Sequence, residues 1–384
     1  LDFDHAFLNG VCLFFQVHGH EHEPCVVHIT PPAHAADWQV ATGLTRLTGA
    51  AGEFGAFIAD DYAELIDRPV LTGPLACGNF RLADAEHVIA VFGCDEVDLE
   101  RIERDVACIC AVHADLFGGG VPFDRYVFLV TALNAGYGGL EHANSTALIC
   151  RRTDLPRIGD ERVGRGYRRF LGLVSHEYFH LWNVKRIRPA EFVPYALDHE
   201  AYTRQLWIFE GITSYCDDLG LLRAGVIDAP AWLEMLGESL TSVYRSGGRR
   251  RQTLEESSFD AWIKFYKQDE NAPNAIVSYY RKGAMVALAL DLELRLQTNG
   301  ACSLDTVMRA LWQQYGEDGL RGLAQGGFEQ LTEELSGLDL GDFFRQALRT
   351  TVDPPVGILL AQFGVRLHMR AAESDTDAGG RPAS

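Results

Sequence analysis

Hydrophobic and polar positions change their period along this 384-residue chain. From Val11 onward, apolar residues fall in short alternating or continuous runs, VCLFFQV, CVVHI, WQVATGL and HVIAVFGC, separated by turns rich in Gly, Pro and His. Alternation puts every second side chain on one face of a pleated strand, so the spacing predicts a β-rich domain over residues 1–95. The rhythm shifts at DLERIERDVACICAVHADLFGGG, where apolar residues recur at helical spacing until three glycines stop them. A helix, and with it a new domain, is predicted there.

One apolar strand, YVFLVTAL, and a glycine-rich stretch lead into STALICRR, after which nearly everything to Arg349 has the helical period. Three long helices are predicted: GYRRFLGLVSHEYFHLWNVKRI, closed by Pro189; TRQLWIFEGITSYCDDLGLLRAG; and SYYRKGAMVALALDLELRLQT. The fold class is therefore α+β, with a β-rich N-terminal domain, a catalytic core over 96–298 and a helical region over 299–356. Residues 357–384 end in AAESDTDAGGRPAS, a small, polar, glycine-rich tail that reads as a linker.

Charge narrows the partners. Lys and Arg total 34 against 53 Asp and Glu, a net charge of -19 at pH 7, and so acidic a surface repels phosphate backbones and anionic lipid. Nucleic acid is excluded as a partner. No apolar run approaches the roughly 18 residues of a membrane span. The nine cysteines are scattered without a CxxC pair, which is not a disulfide framework and fits a reducing compartment; Cys108 and Cys110 read as core. The start, LDFDHAFLNG, lacks Met and a basic leader, so the chain reads as mature or trimmed and its location as cytoplasmic or periplasmic. His18, His20 and His22 are read as a solvated hairpin turn.

The chemistry concentrates in a few segments. His176, Glu177 and His180 form HEYFH on a predicted helix, where the i, i+4 spacing turns both imidazoles to one face able to hold a zinc ion. Glu177, next to the first histidine, is placed to reach a water that the metal makes acidic. A third ligand is expected from another helix, and Glu210 in LWIFEGITSY is the candidate, because an unpaired carboxylate among Leu206, Trp207, Ile208 and Phe209 would be costly. Glu141 follows Gly138 and Gly139 in AGYGGLEHANST, where the glycines permit close backbone approach. A substrate lying along STALIC would meet the Glu141 carboxylate with its ammonium. Tyr279 and Tyr280 open a helix and offer phenols for an oxyanion. Lys185, Arg186 and Arg188 are read as cations closing the zinc helix.

Taken together and in order, YGGLEHANST, HEYFHLWNVKRIRP, LWIFEGITSY and YYRKG resemble the glycyl aminopeptidase family of zinc metallopeptidases, itself distantly similar to aminopeptidase N. The resemblance covers most of the chain. It implies one zinc ion per chain held by His176, His180 and Glu210, with Glu177 as general base and acid. YGGLEH resembles the amine-anchoring GxMEN motif of aminopeptidase N, which implies that Glu141 binds the substrate amino group beside Gly138 and Gly139. In the family's YxKG pattern the first position is the catalytic tyrosine, and Tyr280 stands there. The implied architecture is a β-rich domain, a thermolysin-like catalytic domain, a helical region and a PDZ domain. The sequence starts inside the first and stops where the last would begin, so a PDZ domain is expected to be missing.

The expected function is that of a zinc-dependent aminopeptidase acting on peptides with a free N-terminus, with N-terminal Gly or Ala preferred, as the family implies. A zinc endopeptidase and a catalytically idle peptide-binding scaffold are the alternatives. Glu141 separates the first, because an internal bond offers no ammonium; the intact Glu177 argues against the second.

Overall fold

The computed structural model describes residues 2–33, 35, 37–316, 321–374 and 376–381. It divides into two units, Leu1–Asp115 with Gly119–Leu181, and Leu116–Gly118 with Trp182–Ser384. The first unit opens with β1 (Ala6–Leu8), β2 (Cys25–Ile29), β3 (Gln39–Thr42), β4 (Thr45–Arg46), β5 (Gly55–Ala59), α1 (Tyr62–Ile66), β6 (Val70–Gly73), β7 (Ala76–Leu82) and β8 (Ala85–Phe92). It continues through α2 (Leu99–Leu116), β9 (Arg125–Leu133), β10 (Gly138–Glu141), β11 (Ser145–Arg151) and α3 (Arg165–Phe179). Two three-stranded antiparallel sheets, in the orders β1-β6-β3 and β2-β5-β4, accompany a five-stranded mixed sheet ordered β10-β11-β9-β8-β7.

In the mixed sheet β8, β9 and β11 run parallel, and the run Tyr126–Val130 of β9 is fully buried. That accounts for a continuous apolar stretch rather than an alternating one, since both faces of a central parallel strand are covered. Ala41 and Leu71 of the first sheet pack with Leu75, Ala90, Phe92, Val127 and Leu129 in one apolar core.

Some expectations from sequence change here. VCLFFQV is not a strand: Gly10–Cys12 form a single 3-10 turn, capped by the Asn9 side chain, and Phe15 and Val17 are exposed. A Cβ on Gly10 would lie 2.7 Å from the Ile66 Cα, so the chain turns sharply against α1 instead of extending. STALIC, as β11, has both edges occupied, by β9 and β10. The open edge beside it belongs to β10, so a substrate strand cannot pair along β11. Cys110 is buried, as expected, but Cys108 is exposed.

The second unit is helical: α4 (Ile212–Arg223), α5 (Ala229–Arg245), α6 (Leu254–Phe259), α7 (Ala272–Ala275), α8 (Tyr279–Gln297), α9 (Leu304–Leu311), α10 (Gly327–Ser336), α11 (Gly341–Arg349) and α12 (Val356–Gln362). The helix α8 is buried continuously from Lys282 to Leu292, with α4, α5, α6, α9 and α12 packed on it. A helix apolar all round must be central, and its polar residues must find partners. Asp291 does so by accepting from the Tyr215 hydroxyl at 2.7 Å and the Leu304 amide at 2.8 Å.

The helix containing HEYFH ends earlier than its pattern predicts. It stops at Phe179, His180 is its C-cap, and Val184 has a φ of 129°, which no helix can carry. Lys185, Arg186 and Arg188 therefore follow the helix rather than close it. The stretch read as a linker from residue 357 begins inside α12, and farther on Arg245 of α5 donates to the Asp377 carbonyl. Among the described residues no helix is long and apolar enough to cross a membrane.

Candidate active site

The last turns of α3 carry the HEYFH motif on a helix whose opposite face is anchored by polar contacts. The Ser175 hydroxyl lies 2.7 Å from the His113 Nε2 of α2, and the Tyr178 hydroxyl lies 2.9 Å from the His87 Nε2 of β8. Both histidines are buried, and burial pushes the His87 imidazole down to about 4, so it is neutral at pH 7. Nearer the helix start, the Tyr167 hydroxyl donates to Asp105 at 3.0 Å beneath the Arg101 guanidinium. Phe170, Leu171 and Val174 bury the apolar face between these anchors. The helix is thus fixed in rotation, and the His176 and His180 rings meet edge to face with centroids 4.6 Å apart.

Glu177 is 4% exposed and lies against the backbone of β10. A Cβ built on Gly139 would stand 2.2 Å from its Oε1, so glycine at this position makes room for the Glu177 carboxylate. Gly138 meets nothing within 4 Å and leaves the strand open beside it. Glu141 ends β10, paired with Thr146. The turn that follows is held to α1 and β3: Asp67 accepts from the Ala143 amide at 2.8 Å and pairs with His142 Nδ1 at 3.2 Å, while the Asn144 amide donates to the Gly43 carbonyl at 2.9 Å. These contacts from the N-terminal β region fix the strand end that presents Glu141.

Glu210 sits in a π-helical turn, Trp207–Gly211, that leads into α4. Such a turn widens the helix by one residue and frees carbonyls from the usual ladder. The buried Asn183 meets them: its amide donates to the Ile208 carbonyl at 3.0 Å, the Phe209 carbonyl at 3.3 Å and the Thr213 hydroxyl at 3.1 Å. On the other side, Gly211 and Gly283 meet backbone to backbone, and a Cβ on Gly211 would come within 2.5 Å of the Gly283 Cα. This contact brings the first turn of α8 against Glu210. Burial, and next the Glu210 carboxylate, push the Tyr280 phenol far up, so it holds its proton and can donate it in a hydrogen bond.

One ligand atom each of His176, His180 and Glu210 lies within 4.8 Å of the other two. Two imidazoles and a carboxylate so spaced match the donor set of a catalytic zinc site that keeps a position for water. Glu141, Glu177 and His180 form a second such group, sharing His180 with the first. Two carboxylates and one imidazole are a poorer set for zinc than two imidazoles and one carboxylate. The sequence reading passed over several residues that shape the site: Asn183, the glycine pair Gly211 and Gly283, His87, His113 and Tyr266. The glycines were visible in LWIFEG and YYRKG, but their reason, a contact between segments far apart in the chain, was not.

The M61 glycyl aminopeptidase family matches residues 169–286, and the peptidase M61 N-terminal domain matches residues 1–74. Among solved structures, an aminopeptidase N family protein from Idiomarina loihiensis is similar at 42% identity and a TM-score of 0.97, over 100% of this chain and 65% of that one. This chain therefore spans slightly under two thirds of that relative's length. A mutant M1 zinc metallopeptidase from Deinococcus radiodurans matches at 17% identity and a TM-score of 0.56, over 92% of this chain and 71% of that one. A two-domain M1 zinc metallopeptidase mutant bound to L-arginine matches at 17% identity and a TM-score of 0.54, over 90% and 69%. These last two share the fold. No curated protein sequence matches the chain.

Proposed function

The chain belongs to the M61 glycyl aminopeptidase family, and from that premise we propose that it is a zinc-dependent aminopeptidase that removes N-terminal residues from peptides. His176, His180 and Glu210 hold one zinc ion per chain. Zinc supplies a Lewis acid that polarises a carbonyl and makes water acidic enough to ionise near neutral pH. The observation that carries the reading is the Glu141 carboxylate, within 4.8 Å of both Glu177 and His180.

In a peptide the α-nitrogen is only about 2.5 Å from its own carbonyl carbon. A carboxylate that binds the α-ammonium must therefore lie almost on top of the base that serves the attacking water, as Glu141 does. An endopeptidase substrate has a neutral amide at that place, which leaves the carboxylate without a cation to pair with. Glu177 takes a proton from the attacking water and returns it to the leaving amine. Tyr280, held protonated, donates to the oxygen that gains charge. Gly138 leaves the β10 edge open for the backbone of the substrate. A preference for N-terminal Gly or Ala is supported by the family alone.

The test compares glycyl and alanyl anilides with their N-acetyl forms, together with metal content. The free amines should be hydrolysed and the acetylated forms should not. Glu210→Ala should lose zinc, whereas Glu177→Gln should keep it and lose turnover by on the order of a thousandfold. Equal hydrolysis of blocked and free substrates would replace the aminopeptidase by an endopeptidase while leaving the zinc ligands in place.

A further inference from the structure

Beyond the motif residues, a third tyrosine reaches the same hydroxyl as the oxyanion donor. Tyr266 stands in a 3-10 turn, Phe265–Lys267, between α6 and α8. The residue is 62% exposed, yet its hydroxyl lies 3.3 Å from that of Tyr280, and it accepts from the Tyr279 hydroxyl at 3.3 Å. We propose that Tyr279 and Tyr266 are positioning residues that form a hydroxyl relay ending on Tyr280, an inference that rests on the donor role given to Tyr280 above.

A phenol carries one proton and can accept as well as donate. Tyr279 donates a hydrogen bond to Tyr266, so the Tyr266 hydroxyl is free to turn its own hydrogen to the Tyr280 oxygen. With Tyr266 as its donor, Tyr280 can offer its own hydrogen to the substrate oxygen. A hydroxyl that accepts a hydrogen bond becomes a stronger donor, because the bonds of a chain polarise one another.

The rings are held for this purpose. Phe265 stacks on Tyr280 with centroids 5.7 Å apart and packs on Tyr279 at 4.9 Å, and Tyr279 and Tyr280 lie 4.7 Å apart. The turn is tied back by the Tyr266 amide to the Ala261 carbonyl at 3.0 Å and by Lys264 to Asp260 at 2.6 Å. At 3.3 Å the hydroxyl contacts are longer than the usual 2.7–2.8 Å, and the relay tightens as charge develops on the substrate oxygen. Water can serve the exposed Tyr266 hydroxyl in the ground state, so the contact adds little to folding. Its effect falls on the transition state.

The experiment uses the zinc-loaded chain and a glycyl anilide, with Tyr266→Phe, Tyr279→Phe, Tyr280→Phe and the Tyr266→Phe/Tyr280→Phe double variant. Tyr266→Phe should lower kcat about tenfold, with KM and zinc content unchanged, and Tyr279→Phe about threefold. Tyr280→Phe should lower it on the order of a hundredfold, and adding Tyr266→Phe should then cost nothing more. Affinity for a phosphinic dipeptide, which mimics the tetrahedral state, should fall in Tyr266→Phe by the same tenfold while affinity for free glycine stays unchanged. A wild-type kcat and phosphinate affinity in Tyr266→Phe, or an undiminished tenfold loss on the Tyr280→Phe background, would overturn the relay and leave Tyr280 as the donor. Wild-type turnover in Tyr280→Phe would instead remove the donor role itself and the relay with it.

Discussion

The end of α3, with His176 and His180, and the π-helical turn, with Glu210, both present zinc-ligand candidates, but they are built on different contacts. Near α3, glycine faces a side chain: Gly139 makes room for the mobile end of Glu177. At the π-turn, glycine faces backbone: Gly211 and Gly283 touch with nothing between them that can rotate away. Buried polar groups follow the same division. The α3 helix is steadied by separate contacts from His87 and His113, each on a different element, whereas the π-turn carbonyls are served by one linked pair, Asn183 and the Thr213 hydroxyl to which it donates. The first region can adjust by small side-chain movements. The second is either assembled or not.

Adding a methyl group to each region should separate them most clearly. Gly283→Ala places a Cβ 2.8 Å from the Gly211 Cα, and only backbone movement relieves it. It should cost about 3 kcal/mol of stability, read as a lower midpoint of denaturant unfolding. Gly139→Ala meets the flexible end of Glu177, so stability should hardly change. Glu177, proposed as the general base, is displaced, however, and kcat should fall on the order of a hundredfold with zinc retained. A stable, inactive Gly283→Ala, or an unfolded Gly139→Ala, would dissolve the distinction.

The smallest effect concerns the anchors of α3. His87 is buried neutral, and its folded value of about 4 lies below the usual value of 6.5. Between these values the unfolded chain binds more protons than the folded one, so stability is complete above about pH 6.5 and is lost as pH falls toward 4. About 2 kcal/mol should disappear between about pH 7 and pH 5. His87→Gln, which keeps a polar partner for Tyr178, should flatten this part of the melting-temperature profile. An unchanged slope would assign the acid sensitivity elsewhere.

Motif spacing made the site legible to a large degree. HEYFH put two imidazoles on one helical face, and the acid in LWIFEG stood out because apolar neighbours surround it. Helix ends were less legible. HEYFHLWNVKRI keeps its apolar period past Phe179, and only the positive φ at Val184 shows that the helix is over. Strand neighbours were hidden too: STALIC resembles an edge strand in isolation but lies between β9 and β10. Pairing partners depend on residues far away in the chain, and no local pattern records them.

By itself the sequence determined the α+β class, the α8 core helix and the residue types of the candidate metal-donor set, because periodicity and side-chain chemistry are local properties. Tertiary structure decided which glycines are obligatory, which strand edge is open, and why Asn183 and Tyr266 matter. Each of these depends on a distance between segments that are remote along the chain, where a close approach or a shared hydrogen bond exists only once the core has packed.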